Sequence, residues 1–91
     1  MPEAAYSLGH LYHEGKGVEK DPAKAFLLCR TAAEEGYAKA VYDTAVLYLY
    51  GDGTERDLGK AKKYFQRAFE LGFVKARDNI RMIEEEERRT Q

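Results

Sequence analysis

The sequence repeats itself at a spacing of 36 residues, and this periodicity restricts the fold more than any other feature. When the chain is shifted by 36 positions, Ala4 aligns with Ala40 and Lys24-Ala25 aligns with Lys60-Ala61. Further matches join aromatic, glycine and acidic residues: Tyr6 with Tyr42, Leu11-Tyr12 with Leu47-Tyr48, Gly15 with Gly51, Gly17 with Gly53, Asp21 with Asp57, and Gly36 with Gly72. Periods of roughly 20–50 residues are typical of arrays in which each unit buries its apolar face against the next.

Each unit is predicted to form two helices joined by a glycine turn. Gly15 and Gly17 end the first helix, because glycine readily adopts the positive φ that a helix end needs. Asp21 is a favoured N-cap for the second helix, and Pro22 suits its first position. The pattern predicts helices at about 3–14, 22–35, 38–50, 58–71 and 74–88. The expected fold is therefore all-α, with about five helices in stacked antiparallel hairpins.

We divide the 91 residues into repeated parts of a single domain. Repeat 1 covers about 4–39, repeat 2 covers about 40–75, and a partial third repeat or capping helix covers about 76–89. The charged end of the last helix is expected to cap the array, whereas no capping segment precedes the first helix. We expect either a piece of a longer array or an N-terminal end that stacks on a partner or on a second copy.

Composition indicates a soluble globular chain. Hydrophobic residues make up 44% and charged residues 34%, which disfavours a disordered segment. No apolar run approaches the roughly 18 residues of a membrane-spanning helix, and the first residues show no signal peptide; the compartment stays open. The formal net charge of -1 lacks the basic excess of most nucleic-acid-binding domains.

The pattern running from Ala4 to Ala25 resembles the Sel-one-like repeat, a relative of the tetratricopeptide repeat. The pattern is Ala-x-x-x-Leu-Gly-x-x-Tyr-x-x-Gly-x-Gly-Val-x-x-Asp-x-x-Lys-Ala, and Ala32-Ala33-x-x-Gly36 completes it. The second unit departs where Thr44-Ala45 replaces Leu8-Gly9, and the third unit matches only weakly. The resemblance covers about residues 4–83 and implies a right-handed α-solenoid that serves as an adaptor or scaffold.

The same resemblance implies that the first helix of each unit lines a concave surface that binds a peptide or helix of a protein partner. The residues it assigns to partner binding are Tyr6, His10 and His13 in the first unit, Tyr42, Val46, Leu49 and Tyr50 in the second, and Asp78 and Met82 in the last helix. Charged residues are assigned to the same surface: Glu3, Glu14, Lys39, Lys75, Glu85 and Glu86. The alternative is that several of these side chains pack against the neighbouring unit as core.

Other motifs favour structure over chemistry, so we expect no enzyme activity, no cofactor and no metal site. Gly15-x-Gly17 follows a helix and not a strand, which favours a turn over a phosphate loop. His10 and His13 share a helix face, but zinc needs three or four ligands. The single Cys29 cannot form an intrachain disulfide, and it aligns with Phe65, which favours a buried and unreactive thiol over a nucleophile.

Two charged segments leave alternatives open. Four basic residues within the helix at about 58–71 could contact nucleic acid weakly, although none is expected as a partner: Lys60, Lys62, Lys63 and Arg67. The acidic run near the C-terminus allows Glu84–Arg88 and Glu85–Arg89 pairs at i,i+4 spacing. A non-catalytic regulatory module of a larger enzyme is the other alternative to a protein-binding scaffold.

Overall fold

The computed structural model describes residues 1–90 and consists of five α-helices. They are α1 (Pro2–Glu14), α2 (Pro22–Glu34), α3 (Ala38–Tyr50), α4 (Leu58–Glu70) and α5 (Ala76–Arg89), and no strand occurs in these residues. Each helix packs chiefly against the next along the chain, and the stack measures 43 × 26 × 16 Å. The predicted all-α solenoid of helical hairpins is therefore confirmed. We refer to α1, α3 and α5 as A helices and to α2 and α4 as B helices.

The helix ends follow the predicted glycine and aspartate signals. Gly15 and Gly51 adopt φ values of 73° and 68° at the ends of α1 and α3, where glycine has no Cβ atom to strain the backbone. The carboxylates of Asp21 and Asp57 accept hydrogen bonds from backbone N–H groups three residues later, at 3.1 and 3.0 Å. These bonds satisfy donors that the first turn of a helix leaves unpaired. None of the five helices is long and apolar enough to cross a membrane.

The last helix begins later than the repeat pattern predicts. The expected start lies near Val74, yet α5 begins at Ala76. In α3 the first helical bond runs from the N–H of Val41 to the carbonyl of Tyr37, four residues earlier. In α5 the N–H of Arg77 instead bonds to the carbonyl of Val74, three residues earlier. The chain therefore enters α5 through a tighter turn of the 3₁₀ type.

Alanines and a few large side chains share the interior. Phe65, Ile83, Val41 and Thr44 are the largest fully buried residues. Small residues that recur at the repeat spacing are also buried, and they let helix axes approach closely. They are Ala25, Ala32, Ala40, Ala61, Ala68 and Ala76. Cys29 is buried like Phe65, the residue with which the repeat aligns it, so its predicted core position is confirmed.

The two ends of the stack differ in character. In α1 the side chains of Leu8 and Leu11 are each 40% exposed, whereas Thr44, which corresponds to Leu8 in α3, is fully buried against α2. Ala4 is likewise exposed although its counterpart Ala40 is buried. The difference arises because no helix precedes α1 within the described residues. The N-terminal end of the stack is therefore an open apolar face, which we call the α1 end face (Ala4, Leu8, Leu11).

The C-terminal helix presents charge where the other A helices present small residues. Gly9 of α1 lies against α2, where an added Cβ atom would lie 3.2 Å from the carbonyl oxygen of Ala25. Its counterpart Ala45 in α3 is fully buried, whereas the counterpart in α5 is the exposed Arg81. A B helix could approach α5 here as closely as α2 approaches α1 only by displacing or burying the Arg81 side chain.

The glycine turns provide a test of inter-unit packing. Gly17 and Gly53 occupy the same repeat position with φ values of 75° and 78°. A Cβ atom at Gly53 would overlap the backbone carbonyl of Pro22 in the preceding unit, whereas one at Gly17 meets nothing within 4 Å. We expect Gly17→Ala to lower the free energy of unfolding by about 1–2 kcal/mol, because alanine is strained at a positive φ. Gly53→Ala should lower the free energy of unfolding by about 1–3 kcal/mol more than Gly17→Ala does, because overlap with packed atoms adds to the backbone strain.

Urea unfolding of both variants, followed by circular dichroism at equal protein concentration, measures this difference. Gly17→Ala serves as the matched control for the backbone term. Equal losses of unfolding free energy in the two variants would contradict close packing of the second glycine turn on α2.

Candidate functional site

An open cleft of about 200 Å³ lies between α1 and α3. It brings together four of the nine residues that the sequence analysis assigned to partner binding: Tyr6, His10, His13 and Val46. The other lining residues are Gly9, Ala25, Cys29, Asp43, Leu47 and Asp52. We call this feature the α1–α3 cleft. Its apolar walls and polar rim combine the two kinds of surface that ligand-binding clefts usually contain.

Tyr6 and Asp43 join the two A helices at one end of the cleft. The Tyr6 hydroxyl donates a hydrogen bond to Oδ2 of Asp43 at 2.6 Å, across 37 residues of sequence. Burial, together with this bond to a carboxylate, raises the pKa of Tyr6 above its usual range, so the phenol stays a donor. Nε2 of His10 lies 3.8 Å from the same carboxylate oxygen. The ring of Tyr6 also contacts the rings of His10 and Tyr37 edge to face.

A second polar pair lies where α3 ends. Nε2 of His13 and Oδ2 of Asp52 are 2.7 Å apart, and both side chains are partly exposed. Because a carboxylate only accepts hydrogen bonds, the proton of this bond belongs to Nε2 of His13. Asp52 lies in the turn between Gly51 and Gly53, so the glycine turn positions the carboxylate.

The floor of the cleft is apolar because small residues allow α1 and α2 to approach. Gly9 is buried, and its backbone lies close to Ala25 and Leu28 of α2. Behind this contact, Sγ of Cys29 lies 3.6 Å from the carbonyl oxygen of Ala40, to which it donates. The hydroxyl of Thr44 in turn donates to Sγ at 3.3 Å. Burial raises the pKa of the Cys29 thiol to about 11, against a partly opposing effect of the bond from Thr44.

The four predicted residues of α3 have different environments. Val46 lines the cleft, and Tyr50 is 72% exposed. Tyr42 is half-buried: its hydroxyl donates to Oδ1 of Asn79 at 2.9 Å, and its ring stacks on Phe73. Burial raises the pKa of Tyr42 as well.

Leu49 lies in the interior, in disagreement with its assignment to a partner-binding surface. Its side chain is only 4% exposed and belongs to the same core cluster as Ile83 of α5. Its counterpart in the first unit, His13, instead lines the α1–α3 cleft. For Leu49 the packing alternative is the one that the structure supports.

The predicted residues of α5 lie apart from the cleft. Asp78 and Met82 are exposed and do not line it. The A helices therefore present two regions: the α1–α3 cleft and, outside it, the exposed side chains of Tyr50 on α3 and Met82 on α5. We call the two regions together the A-helix face.

The charged segments are organised between helices. Glu86 accepts a hydrogen bond from Arg56 at 2.9 Å, and Glu87 accepts one from Lys62 at 2.9 Å. The i,i+4 pairs that the acidic run allows, Glu84–Arg88 and Glu85–Arg89, are not formed within residues 1–90. The bond to Glu87 raises the pKa of Lys62. The ion pairs thus connect α5 to the preceding unit.

The remaining motifs have structural environments. Asp21 and Asp57 cap helices, as predicted. Within residues 1–90, no group of three or more His, Cys, Asp and Glu side chains is arranged to hold a metal ion. Of the four basic residues predicted on α4, Lys62 is paired with Glu87, and Nζ of Lys60 lies 5.7 Å from the centroid of the Tyr48 ring.

Sequence reasoning missed Asp43, Asp52, Arg56 and Asn79. A signal for two of them was present in the repeat itself. Tyr6 and Tyr42 recur at the repeat spacing, and Asp43 and Asn79 each follow the corresponding tyrosine by 37 residues. A tyrosine hydroxyl that recurs at the repeat spacing, together with a carboxylate or amide at a constant distance along the chain, indicates a hydrogen bond between neighbouring units. Arg56 and Asp52 have no such recurring partner, so only the three-dimensional structure identifies their contacts.

Comparison with known proteins gives a consistent result for the whole chain. The model of the Sel1 repeat family matches residues 2–37 and 38–73. No functionally curated protein matches the chain. A Sel1 repeat protein from Oxalobacter formigenes is 32% identical with a TM-score of 0.84, and the match covers 88% of this chain and 33% of that one.

Two further solved structures are similar. A protective antigen present in uropathogenic Escherichia coli strains, which displays an SLR fold, is 37% identical with a TM-score of 0.80 over 84% of this chain and 16% of its own. Helicobacter pylori cysteine rich protein B is 27% identical with a TM-score of 0.80 over 82% of this chain and 56% of its own. The chain thus spans less than two thirds of each of these proteins.

The environment of Cys29 predicts an unreactive thiol. A pKa of about 11, instead of 9.0, lowers the thiolate fraction at pH 8 by roughly a hundredfold, and thiolate is the reactive form. Iodoacetamide at pH 8 should therefore label the folded protein much more slowly than protein unfolded in urea. Mass spectrometry reports the reaction directly because Cys29 is the single cysteine of the chain. Equal labelling rates in the folded and unfolded protein would contradict the buried position.

Proposed function

This chain belongs to the Sel1 repeat family, whose members are generally protein-interaction scaffolds, and we propose that it holds a peptide or helix of a protein partner on its A-helix face. The observation that carries the proposal is the α1–α3 cleft, which joins apolar walls to hydrogen-bonding groups on a rigid stack. The exposed Tyr50 and Met82 extend the apolar surface beyond the cleft. Aromatic and methionine side chains within a polar rim are enriched at protein interfaces.

Rigidity of the surface supports this role. Tyr6 bonds to Asp43 and Tyr42 bonds to Asn79, so each A helix is tied to the next at the same relative position. A preformed surface binds with a smaller ordering cost than one that must become ordered on binding. The tyrosines thus act as positioning residues, and Val46 and Tyr50 are the groups that we assign to direct contact.

The groups in the cleft favour a non-catalytic role. Cys29 has a raised pKa, and its sulfur contacts Thr44 and the Ala40 carbonyl, so no base activates it as a nucleophile. The imidazoles of His10 and His13 have Nε2 directed at carboxylates. Family members are generally non-catalytic, and we extend this property to the present chain.

The contacts of α4 favour a protein over a nucleic acid as partner. Of its four basic residues, Lys62 is paired with Glu87 and Lys60 lies over the Tyr48 ring, which leaves two exposed, Lys63 and Arg67. A nucleic-acid interface relies on free basic side chains that neutralise phosphates.

The α1 end face supports self-association of two copies. Leu8 and Leu11 are exposed there, whereas Thr44, the counterpart of Leu8 in α3, is fully buried against α2. The opposite end presents Arg77, Arg81 and Glu84, so a head-to-tail contact would bury unpaired charges against leucine. We therefore propose a two-fold contact between two α1 end faces, which pairs apolar surface with apolar surface.

Selection from a displayed random peptide library tests the proposed binding surface. Peptides enriched on the wild-type protein should bind the double variant Tyr50→Ala/Met82→Ala at least about tenfold more weakly, because interface anchors of this kind each contribute over 1 kcal/mol. The double variant Leu27→Ala/Leu71→Ala removes exposed apolar side chains outside the A-helix face and should retain binding. Equal affinity for wild type and Tyr50→Ala/Met82→Ala, measured by calorimetry on folded protein, would rule out this surface.

Sedimentation equilibrium tests the self-association. The wild-type mass should rise with concentration toward that of a dimer, and Leu8→Glu should keep the protein monomeric by placing a charge in the contact. Leu27→Glu puts the same charge on an exposed leucine of α2 and should leave the association unchanged. A wild-type protein that stays monomeric up to millimolar concentration, or a Leu8→Glu variant that still dimerises, would refute the contact.

A further inference from the structure

We propose that the α1–α3 cleft accepts a cationic side chain of the partner, with arginine as the best fit. This inference rests on the proposed function and specifies the chemistry of one partner residue. It follows from the charge of the cleft, from its free acceptor atoms and from the apolar surface beside them.

The charge of the cleft is negative. Its charged lining residues are Asp43 and Asp52, and no lysine or arginine is found among the residues that line it in the described chain. With His10 and His13 counted as neutral, as in the formal net charge of the chain, the lining residues carry two negative charges. Lys39 has its Nζ atom 5.9 Å from the centroid of the Tyr6 ring but does not line the cleft. A positive ligand group is therefore electrostatically complementary to the cleft.

Each carboxylate keeps one oxygen available. Tyr6 donates to Oδ2 of Asp43, and His13 contacts Oδ2 of Asp52. No group within residues 1–90 donates to the Oδ1 atom of either aspartate. The two side chains are 34% and 39% exposed, so a ligand can reach them. The contacts to Oδ2 hold the carboxylates in place while Oδ1 accepts hydrogen bonds from outside.

The walls fit the apolar part of a long basic side chain. Gly9, Ala25, Val46 and Leu47 form apolar surface beside the carboxylates. Arginine and lysine commonly lay their methylene groups on such surface while the charged end contacts polar groups. Arginine fits best, because its planar guanidinium carries five N–H donors and can bond to more than one carboxylate oxygen.

Peptide titrations followed by ¹⁵N NMR provide the test. The probes are a capped alanine pentapeptide with arginine at its centre and the same peptide with citrulline, which keeps the shape but lacks the charge. The arginine peptide should shift the amide signals of Gly9, Val46 and Leu47 in a saturable way. The citrulline peptide should bind at least about tenfold more weakly, because charge-assisted hydrogen bonds are roughly twice as strong as neutral ones.

Matched variants assign the effect to the cleft. Asp43→Asn and Asp52→Asn remove one charge each but keep an oxygen that can accept from Tyr6 or His13, so the fold should persist and the arginine affinity should fall severalfold. Glu35→Gln removes one charge from an exposed position outside the cleft and should retain wild-type affinity. The dispersion of the NMR spectrum verifies that every variant is folded.

The results separate this inference from the proposed function. The inference is overturned if the arginine peptide leaves the cleft signals unchanged, if citrulline binds equally well, or if both asparagine variants bind like Glu35→Gln. Library peptides that bind the A-helix face without a basic residue would leave the scaffold role standing and remove only this inference. Library peptides that bind wild type and Tyr50→Ala/Met82→Ala with equal affinity would instead contradict the proposed binding surface itself.

Discussion

The packing of each A helix on the B helix of the preceding unit is the contact on which the structure depends. A single hairpin of this sequence has apolar residues on more than one side and cannot bury them alone. Small residues at the contact, such as Ala40 and Ala33, bring the helix axes close, and Phe26 and Tyr48 fill the remaining space with an edge-to-face ring contact. Gly53 has the same role in the loop, where the chain passes so close to Pro22 that a side chain would not fit.

The same stacking decides which surface side chains remain available for binding. Contact between successive A helices engages the hydroxyl of Tyr42, and in the packed stack Leu49 lies in the core, Val46 at a cleft and Tyr50 in solvent. Packing of the second unit on the first brings the carboxylates of Asp43 and Asp52 next to residues of α1. A binding surface on such an array is therefore a property of two neighbouring units. The role of a residue cannot be transferred from one unit to the next merely because the positions correspond.

The two ends of the array show how small changes in a repeat alter its capacity to associate. The α1 end face exposes Leu8 at a position that is fully buried in α3, where α2 precedes the helix. At the other end, Arg81 stands where Gly9 and Ala45 allow close packing, and Arg56 and Lys62 secure α5 through Glu86 and Glu87. Burying such charges without partners would cost more than the apolar contact gains. The ends thus differ in chemistry although the helices that form them correspond in the repeat.

The 36-residue period, the glycine turns and the Asp caps were sufficient to predict five helices, their order and the stacked hairpins, because these features act locally or recur regularly. The burial of Cys29 was also predictable from its alignment with Phe65. The spatial grouping of the proposed partner-binding residues was only partly predictable: Tyr6, His10, His13 and Val46 share one cleft, whereas Leu49 lies in the core. The carboxylates of Asp43 and Asp52 reach the cleft only through contacts that span 37 and 39 residues. Local propensity and periodicity determine which segments form helices. Which side chains meet depends on the distance and rotation between successive units, and that geometry is set only when the whole stack packs.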